Sequence, residues 1–180
     1  EALGLAQAKL AAEPSRLRLL ELQFIQAAAP NAAIIDGSPI VEGLRLKKDT
    51  QELAKMREAA VIAQKALVET LKRIHPGMSE KQIAAELVIA LYQAGSDIEL
   101  PFEPIVSSGP NSANPHAAPS ERLLQEGDLL LFDWGAGKDG YFSDITRTFT
   151  VGEVEPELQH IGEVVLAANA KGREIAAPGM

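Results

Sequence analysis

Residues 129–149 read LLLFDWGAGKDGYFSDITRTF and contain the pattern that decides the fold. An apolar run ends at Asp133, a Gly-Lys-Asp-Gly turn follows at 137–140, and a second run rich in aromatic and β-branched residues contains Asp144. Two such runs around a turn of glycine and aspartate are typical of a β-hairpin. The sequence therefore predicts two antiparallel strands with one aspartate in each.

Two registers of this hairpin are compatible with the turn. A loop of Lys138 and Asp139 places Asp133 directly opposite Asp144, whereas a loop of Asp139 and Gly140 makes the two aspartates diagonal neighbours. Either register places both carboxylates on one face of the sheet, and only a three-residue loop would break that parity. Directly opposed residues have Cβ atoms roughly 4.5–5.5 Å apart. Carboxylates this close repel each other unless a cation lies between them, so a divalent metal site is favoured over a pair of solvated aspartates.

Composition and charge narrow the class of protein. The chain has 180 residues, enough for one domain or for parts of two, and 46% of them are hydrophobic. Its net charge of −8 argues against nucleic-acid binding and against binding to an anionic membrane surface. The absence of cysteine excludes thiol catalysis and Cys-ligated zinc. We expect a cytoplasmic protein because the sequence has no apolar run of membrane-spanning length and no visible signal peptide.

The strongest predicted helix covers residues 49–74. Asp49 suits the N-cap, and Glu52 lies three residues later in the position of a capping box. Apolar residues recur at helical spacing along the segment and predict one buried stripe. That stripe consists of Leu53, Met56, Ala60, Ala63, Leu67, Leu71 and Ile74.

Weaker signals define the remaining elements. A second helix is predicted from a capping box at Ser79 to Gly95, and a third begins at Pro156. Residues 104–107 suggest a short strand, and 40–48 suggest a connector between two units. Helices, a strand and a hairpin in this order imply an α+β fold.

The hairpin and the segment before it resemble a known family. The pattern Asp133-x10-Asp144, set in FDWGAGKDGYFSDITRTF, resembles the pita-bread metallopeptidases, which include methionine aminopeptidase, aminopeptidase P and prolidase. SSGPNSANPHAAPS at 107–120 resembles the proline-specific branch of that family. The resemblance implies that 46–180 form the first half of a pita-bread (creatinase/aminopeptidase-like) catalytic domain. Residues 1–45 would be the tail of a smaller N-terminal domain.

The resemblance also implies a set of site residues. Such enzymes bind two divalent metal ions through two Asp, one His and two Glu, with manganese expected here and cobalt, zinc or iron also suitable. Asp133 would bind one ion through both oxygens, and Asp144 would bridge the pair. His116 would contact the substrate and help to stabilise the tetrahedral intermediate formed by attack of a metal-bound hydroxide. The other three ligands have no match in the chain and are expected beyond Met180, so the 180 residues alone should be inactive.

Other polar residues have more ordinary interpretations. On the residues alone, His116 in an Asn-Pro-His-Ala-Ala-Pro loop is more typical of a structural or exposed histidine. His160 is expected on the exposed side of a helix, and His75 at the C-terminal end of one, where the helix dipole favours it. Thr146 and Arg147 follow Asp144 and either support the metal ligands or belong to the plain surface of the sheet.

The function implied by the resemblance is hydrolysis of Xaa-Pro peptide bonds by the full-length protein. It would act as a dipeptidase or an aminopeptidase, as a homodimer, on small peptides that contain proline. Three alternatives stay open: a methionine aminopeptidase, a metal-free hydrolase of the creatinase type, and a catalytically inactive pita-bread protein-interaction module.

Overall fold

The computed structural model describes residues 7–179. Runs of consecutive helices and of consecutive strands follow one another along these residues, and the predicted α+β class is confirmed. The chain divides between Thr50 and Gln51 into two units. The first six residues of the predicted N-terminal segment 1–45, and Met180, lie outside the described residues. None of the helices within 7–179 is long and apolar enough to cross a membrane.

The first unit is a β-α-β arrangement followed by a helix. Strands β1 (Lys9–Ala12) and β2 (Ala33–Asp36) pair in parallel, with helix α1 (Leu19–Ala28) between them in the chain. Helix α2 (Ser38–Leu46) follows directly. This helix covers most of the predicted connector at 40–48, for which the sequence predicted no helix, and the boundary between the two units follows it. A Ser-Pro pair is common in turns, but proline is also well tolerated in the first turn of a helix, where no intrahelical partner for its N–H is needed.

The second unit packs two helices against one face of a three-stranded antiparallel sheet, in the order β3-β4-β7. A two-stranded ribbon, β5-β6, continues the hairpin beyond β4, and one helix follows the sheet. The elements are α3 (Thr50–Leu71), α4 (Glu80–Gln93), β3 (Ile105–Ser108), β4 (Leu129–Trp134), β5 (Gly137–Lys138), β6 (Tyr141–Phe142), β7 (Ile145–Thr150) and α5 (Pro156–Ile175).

The core lies between the helices and alternate residues of β4. Leu130, Phe132 and Trp134 are buried, and the intervening residues of the strand are only half-buried. Trp134 donates a hydrogen bond from Nε1 to the carbonyl oxygen of Ala63 on α3, at 3.0 Å. Phe132 makes edge-to-face contacts with Trp134 and Phe149, with ring centroids 6.4 and 6.0 Å apart. This packing fixes which face of β4 turns away from the helices, and Asp133 lies on that face.

Helix α3 differs from its prediction in length and in buried face. It ends at Leu71 rather than at Ile74. Several small residues are buried in place of the predicted large ones, because the indole of Trp134 approaches the helix closely at Ala63. Leu53, predicted inside, is 39% exposed. The buried residues are Ala59, Ile62, Ala63, Ala66, Leu67 and Thr70.

Helix α4 begins and ends as predicted. The Ser79 Oγ accepts a hydrogen bond from the Gln82 N–H at 3.2 Å, and the Gln82 Oε1 accepts one from the Ser79 N–H at 2.8 Å. This capping box satisfies two N–H groups that the first turn would otherwise leave unpaired. Gly95 has a φ of 101°, the left-handed conformation that favours glycine after the end of a helix.

Candidate metal centre

The hairpin adopts the second of the two predicted registers. Asp139 and Gly140 form the loop, with φ values of 49° and 79°, and Lys138 pairs with Tyr141. Positive φ at both loop residues is the geometry of the tight turn that matches the twist of hairpin strands. In this register Asp133 lies opposite Thr146. Of the two registers that the sequence left open, the observed one is therefore that in which the two aspartates are diagonal neighbours.

The strand ladder is interrupted between the two aspartates. Residues 135–136 and 143–144 fall between the ladder that ends at the pair Trp134–Ile145 and the one that begins at Gly137–Phe142. Ser143 bridges this gap: its Oγ accepts from the Ala136 N–H at 3.0 Å and donates to the Ala59 carbonyl oxygen at 3.2 Å. The buried Ser143 thereby attaches the backbone just before Asp144 to helix α3.

The two carboxylates differ in their surroundings. Asp133 is half-buried, on the same face as Leu129 and Leu131, and its Oδ1 accepts a hydrogen bond from Thr146 Oγ1 at 3.0 Å. Asp144 is exposed and directly precedes β7. Thr146 thus supports Asp133, which the sequence left open as one of two interpretations. Oxygen donors of this kind suit hard divalent cations.

His116 belongs to no metal-binding cluster among residues 7–179. It is exposed in the loop that follows β3, and its N–H donates to Asn114 Oδ1 at 3.0 Å. Among residues 7–179 no group of three or more His, Asp or Glu side chains is arranged to hold a metal ion. The roles assigned to Asp133, Asp144 and His116 therefore stay predictions.

The other two histidines are ordinary surface residues. His160 is exposed on α5, as predicted, with its Nδ1 4.0 Å from Glu163 Oε2. His75 was expected within the last turn of a helix, which is wrong because α3 ends four residues earlier, at Leu71. Its Nδ1 lies 3.0 Å from the Pro76 carbonyl oxygen.

One buried residue of this region, Glu80, could not be identified from the sequence. Glu80, in the first turn of α4, is completely buried and accepts hydrogen bonds at both ends of the His116 loop. Its position after Ser79 is typical of an exposed acidic residue that interacts with the helix dipole. Its hydrogen-bond partners lie 28 to 40 residues further along the chain, so no local pattern identifies it.

Comparison with known proteins places this geometry among metallopeptidases. Residues 54–180 match Metallopeptidase family M24. The chain is 40% identical over 154 residues to the Uncharacterized peptidase YqhT of Bacillus subtilis, a match that covers 86% of this chain and 43% of that relative. An Xaa-Pro dipeptidase from Bacillus anthracis has a similar structure, with a TM-score of 0.84 and 38% identity over 92% of this chain and 46% of that one.

An X-Pro aminopeptidase from Thermotoga maritima is also similar, with a TM-score of 0.81 and 34% identity over 89% of this chain and 45% of that one. The chain thus spans a little under half the length of each of these relatives. These similarities confirm the predicted first half of a pita-bread catalytic domain, preceded by the end of a smaller domain.

Proposed function

Because the chain belongs to metallopeptidase family M24, we propose that the full-length protein is a metal-dependent peptidase that hydrolyses Xaa-Pro bonds. The observation that carries this proposal is the hairpin register, which pairs Asp133 of β4 with Thr146 and so makes Asp144, directly before β7, its diagonal neighbour in the sequence of the hairpin. The Xaa-Pro substrate is supported by the names of two structural relatives, a dipeptidase and an aminopeptidase. Methionine aminopeptidase and an inactive interaction module receive no such support.

The donor set fits divalent cations. The carboxylates of Asp133 and Asp144 offer only oxygen ligands, which suit manganese. Thr146 donates to one oxygen of Asp133 and so restricts the rotation of that carboxylate. When bound, divalent cations lower the pKa of coordinated water and polarise the scissile carbonyl. Asp133 and Asp144 would hold them, and we propose that a histidine and two glutamates from the rest of the full-length protein complete the site.

His116 is proposed to act on the substrate rather than as a ligand. Its exposed side chain extends from a loop whose base adjoins β3, the strand paired with β4 at Ile105 and Asp133. An imidazole in this loop can contact the peptide and stabilise the negative charge that develops on the carbonyl oxygen. The homodimer and the cytoplasmic location expected from the resemblance stay predictions.

Hydrolysis of defined peptides by the full-length protein tests this function. After removal of metal with a chelator and addition of manganese, we expect cleavage of the dipeptide Leu-Pro at a kcat/KM at least about 100-fold above that for Leu-Ala. Chelation alone should abolish the activity. Release of leucine from Leu-Pro-Gly, and not from Leu-Pro, would assign the aminopeptidase rather than the dipeptidase. Cleavage of Met-Ala-Ser with neither proline peptide hydrolysed would contradict the proposal.

A further inference from the structure

Glu80 is a buried carboxylate that has no part in the site described so far. Its side chain is fully buried at the start of α4. Oε1 accepts hydrogen bonds from the N–H of Ser108 at 2.6 Å, from Ser108 Oγ at 2.9 Å and from Asn111 Nδ2 at 3.1 Å. Oε2 accepts from the N–H of Ser120 at 3.0 Å, from Ser120 Oγ at 2.6 Å and from the same Asn111 amide at 3.1 Å.

These contacts close a loop at its base. Ser108 is the last residue of β3, and Ser120 lies at the far end of the segment 109–119, which includes His116. One oxygen of Glu80 holds the first end and the other oxygen holds the second, while Asn111 contacts both. A single side chain therefore restricts both ends of the loop that carries the proposed substrate-binding histidine.

The hydrogen bonds require an ionised carboxylate. Burial acts to raise the pKa of Glu80, but the hydrogen bonds from Ser120, Ser108 and Asn111 outweigh it and hold that pKa below its ordinary value. Ionised glutamate only accepts, which matches the donors that surround it. A glutamine there would turn an NH2 group toward the donors of one loop end, so the amide cannot replace the acid.

An ion pair connects the loop base to the strand of Asp133. Arg122 donates from Nη1 to Ser108 Oγ at 2.7 Å and to Asp128 Oδ2 at 2.6 Å, and from Nη2 to Asp128 Oδ1 at 2.8 Å. Asp128 directly precedes β4. The network thus runs without a gap from α4 through the base of the loop to the strand that carries Asp133.

We propose that Glu80 is a positioning residue for the reaction, which holds the His116 loop at a fixed place relative to the strand of Asp133. The proposal rests on the function proposed above, because it needs His116 to contact the substrate. A displacement of about 1 Å far from the reacting atoms can cost about 100-fold in rate. Loss of the hydrogen bonds that hold one end of the loop should lower kcat by about that factor while the metal ligands stay in place.

The test compares Glu80→Gln, His116→Ala and the double variant in the full-length manganese-loaded protein. We expect Glu80→Gln to lower kcat for the proline peptide about 100-fold with unchanged bound manganese. In the His116→Ala background the same substitution should change kcat by less than about twofold, because the interaction of His116 with the substrate is already lost there. If Glu80→Gln lowers kcat by the same factor in both backgrounds, the proposal is overturned, because a general structural role would act independently of His116.

Glu121→Gln serves as the matched control. Glu121 is exposed beside Ser120 and pairs with Lys81 at 2.7 Å, outside the contacts of Glu80. This variant should retain the activity of the unsubstituted protein. If Glu80→Gln does not fold, Ser120→Ala replaces it, because this variant removes one hydrogen bond to Glu80 and leaves the carboxylate. We then expect a smaller decrease in kcat.

Amide hydrogen exchange separates this proposal from the proposed function. In Glu80→Gln the amides of 109–119 should exchange faster than in the unsubstituted protein, whether or not any peptide is cleaved. Unchanged exchange in an active enzyme overturns the role of Glu80 and leaves the function intact. No hydrolysis by the unsubstituted protein, with faster exchange in the variant, overturns the proposed function and leaves only the restraint of the loop.

Discussion

Asp144→Asn should abolish both metal retention and Xaa-Pro hydrolysis in the full-length protein. The amide removes the negative charge that attracts a divalent cation and one of the oxygens that could bind it, while its size leaves the hairpin undisturbed. We expect bound manganese after dialysis to fall to background. We also expect kcat/KM to fall at least about 1,000-fold, since several kcal/mol of transition-state stabilisation are lost.

Asp139→Asn is the matched control for that variant. Asp139 carries the same side chain in the same hairpin, but it lies in the exposed loop with a φ of 49°, a conformation that asparagine tolerates well. The control should keep its metal, its activity and its melting temperature. Retention of activity by Asp144→Asn would refute the assignment of Asp144 as a metal ligand.

Gly135→Ala should have the largest effect on stability. Gly135 is buried where the ladder is interrupted, and a Cβ at this position would overlap the carbonyl oxygen of Ser143 and the Cγ of Pro101. Neither strand can yield without disturbing the hydrogen bonds that Ser143 makes to Ala136 and to Ala59. We expect a loss of at least about 3 kcal/mol of folding free energy, seen as a lower melting temperature of the metal-free full-length protein.

The same substitution should weaken metal binding, because the carbonyl that moves belongs to the residue just before Asp144. Gly172→Ala is the control, since no heavy atom lies within 4 Å of a Cβ added there, in the last turn of α5. That variant should be neutral or stabilise the helix by about 0.5–1 kcal/mol. Equal melting temperatures for Gly135→Ala and the unsubstituted protein would contradict the close packing of the interrupted hairpin.

The hairpin was predictable because its information is local. The apolar run of β4, the loop residues and the aromatic residues of the second run lie within residues 129–149. The register depends on which two residues form the loop. The observed loop has positive φ at Asp139 and Gly140, two residue types that adopt this conformation readily. The sequence left both loops open; a loop of Lys138 and Asp139 would need such a conformation at lysine, which accommodates it less readily.

Features set by tertiary contacts were not predictable in this way. The buried face of α3 follows its contacts with the sheet: Ala63 and Ala66 lie in the core with Phe132 and Trp134 of β4. Strand β1 has an alanine-rich sequence with little preference for a strand, and it gains its partner only from residues 33–36. Glu80 is defined by donors from Ser108 and Ser120, which only the folded chain brings to it.

The most direct measurement of the central claim is anomalous X-ray diffraction from crystals of the full-length protein grown with manganese, recorded on both sides of the manganese absorption edge. Our account predicts anomalous density within bonding distance of carboxylate oxygens of both Asp133 and Asp144. The remaining ligands should come from residues outside the 180 described by this sequence. Manganese bound elsewhere, with these two carboxylates uncoordinated, would contradict the account.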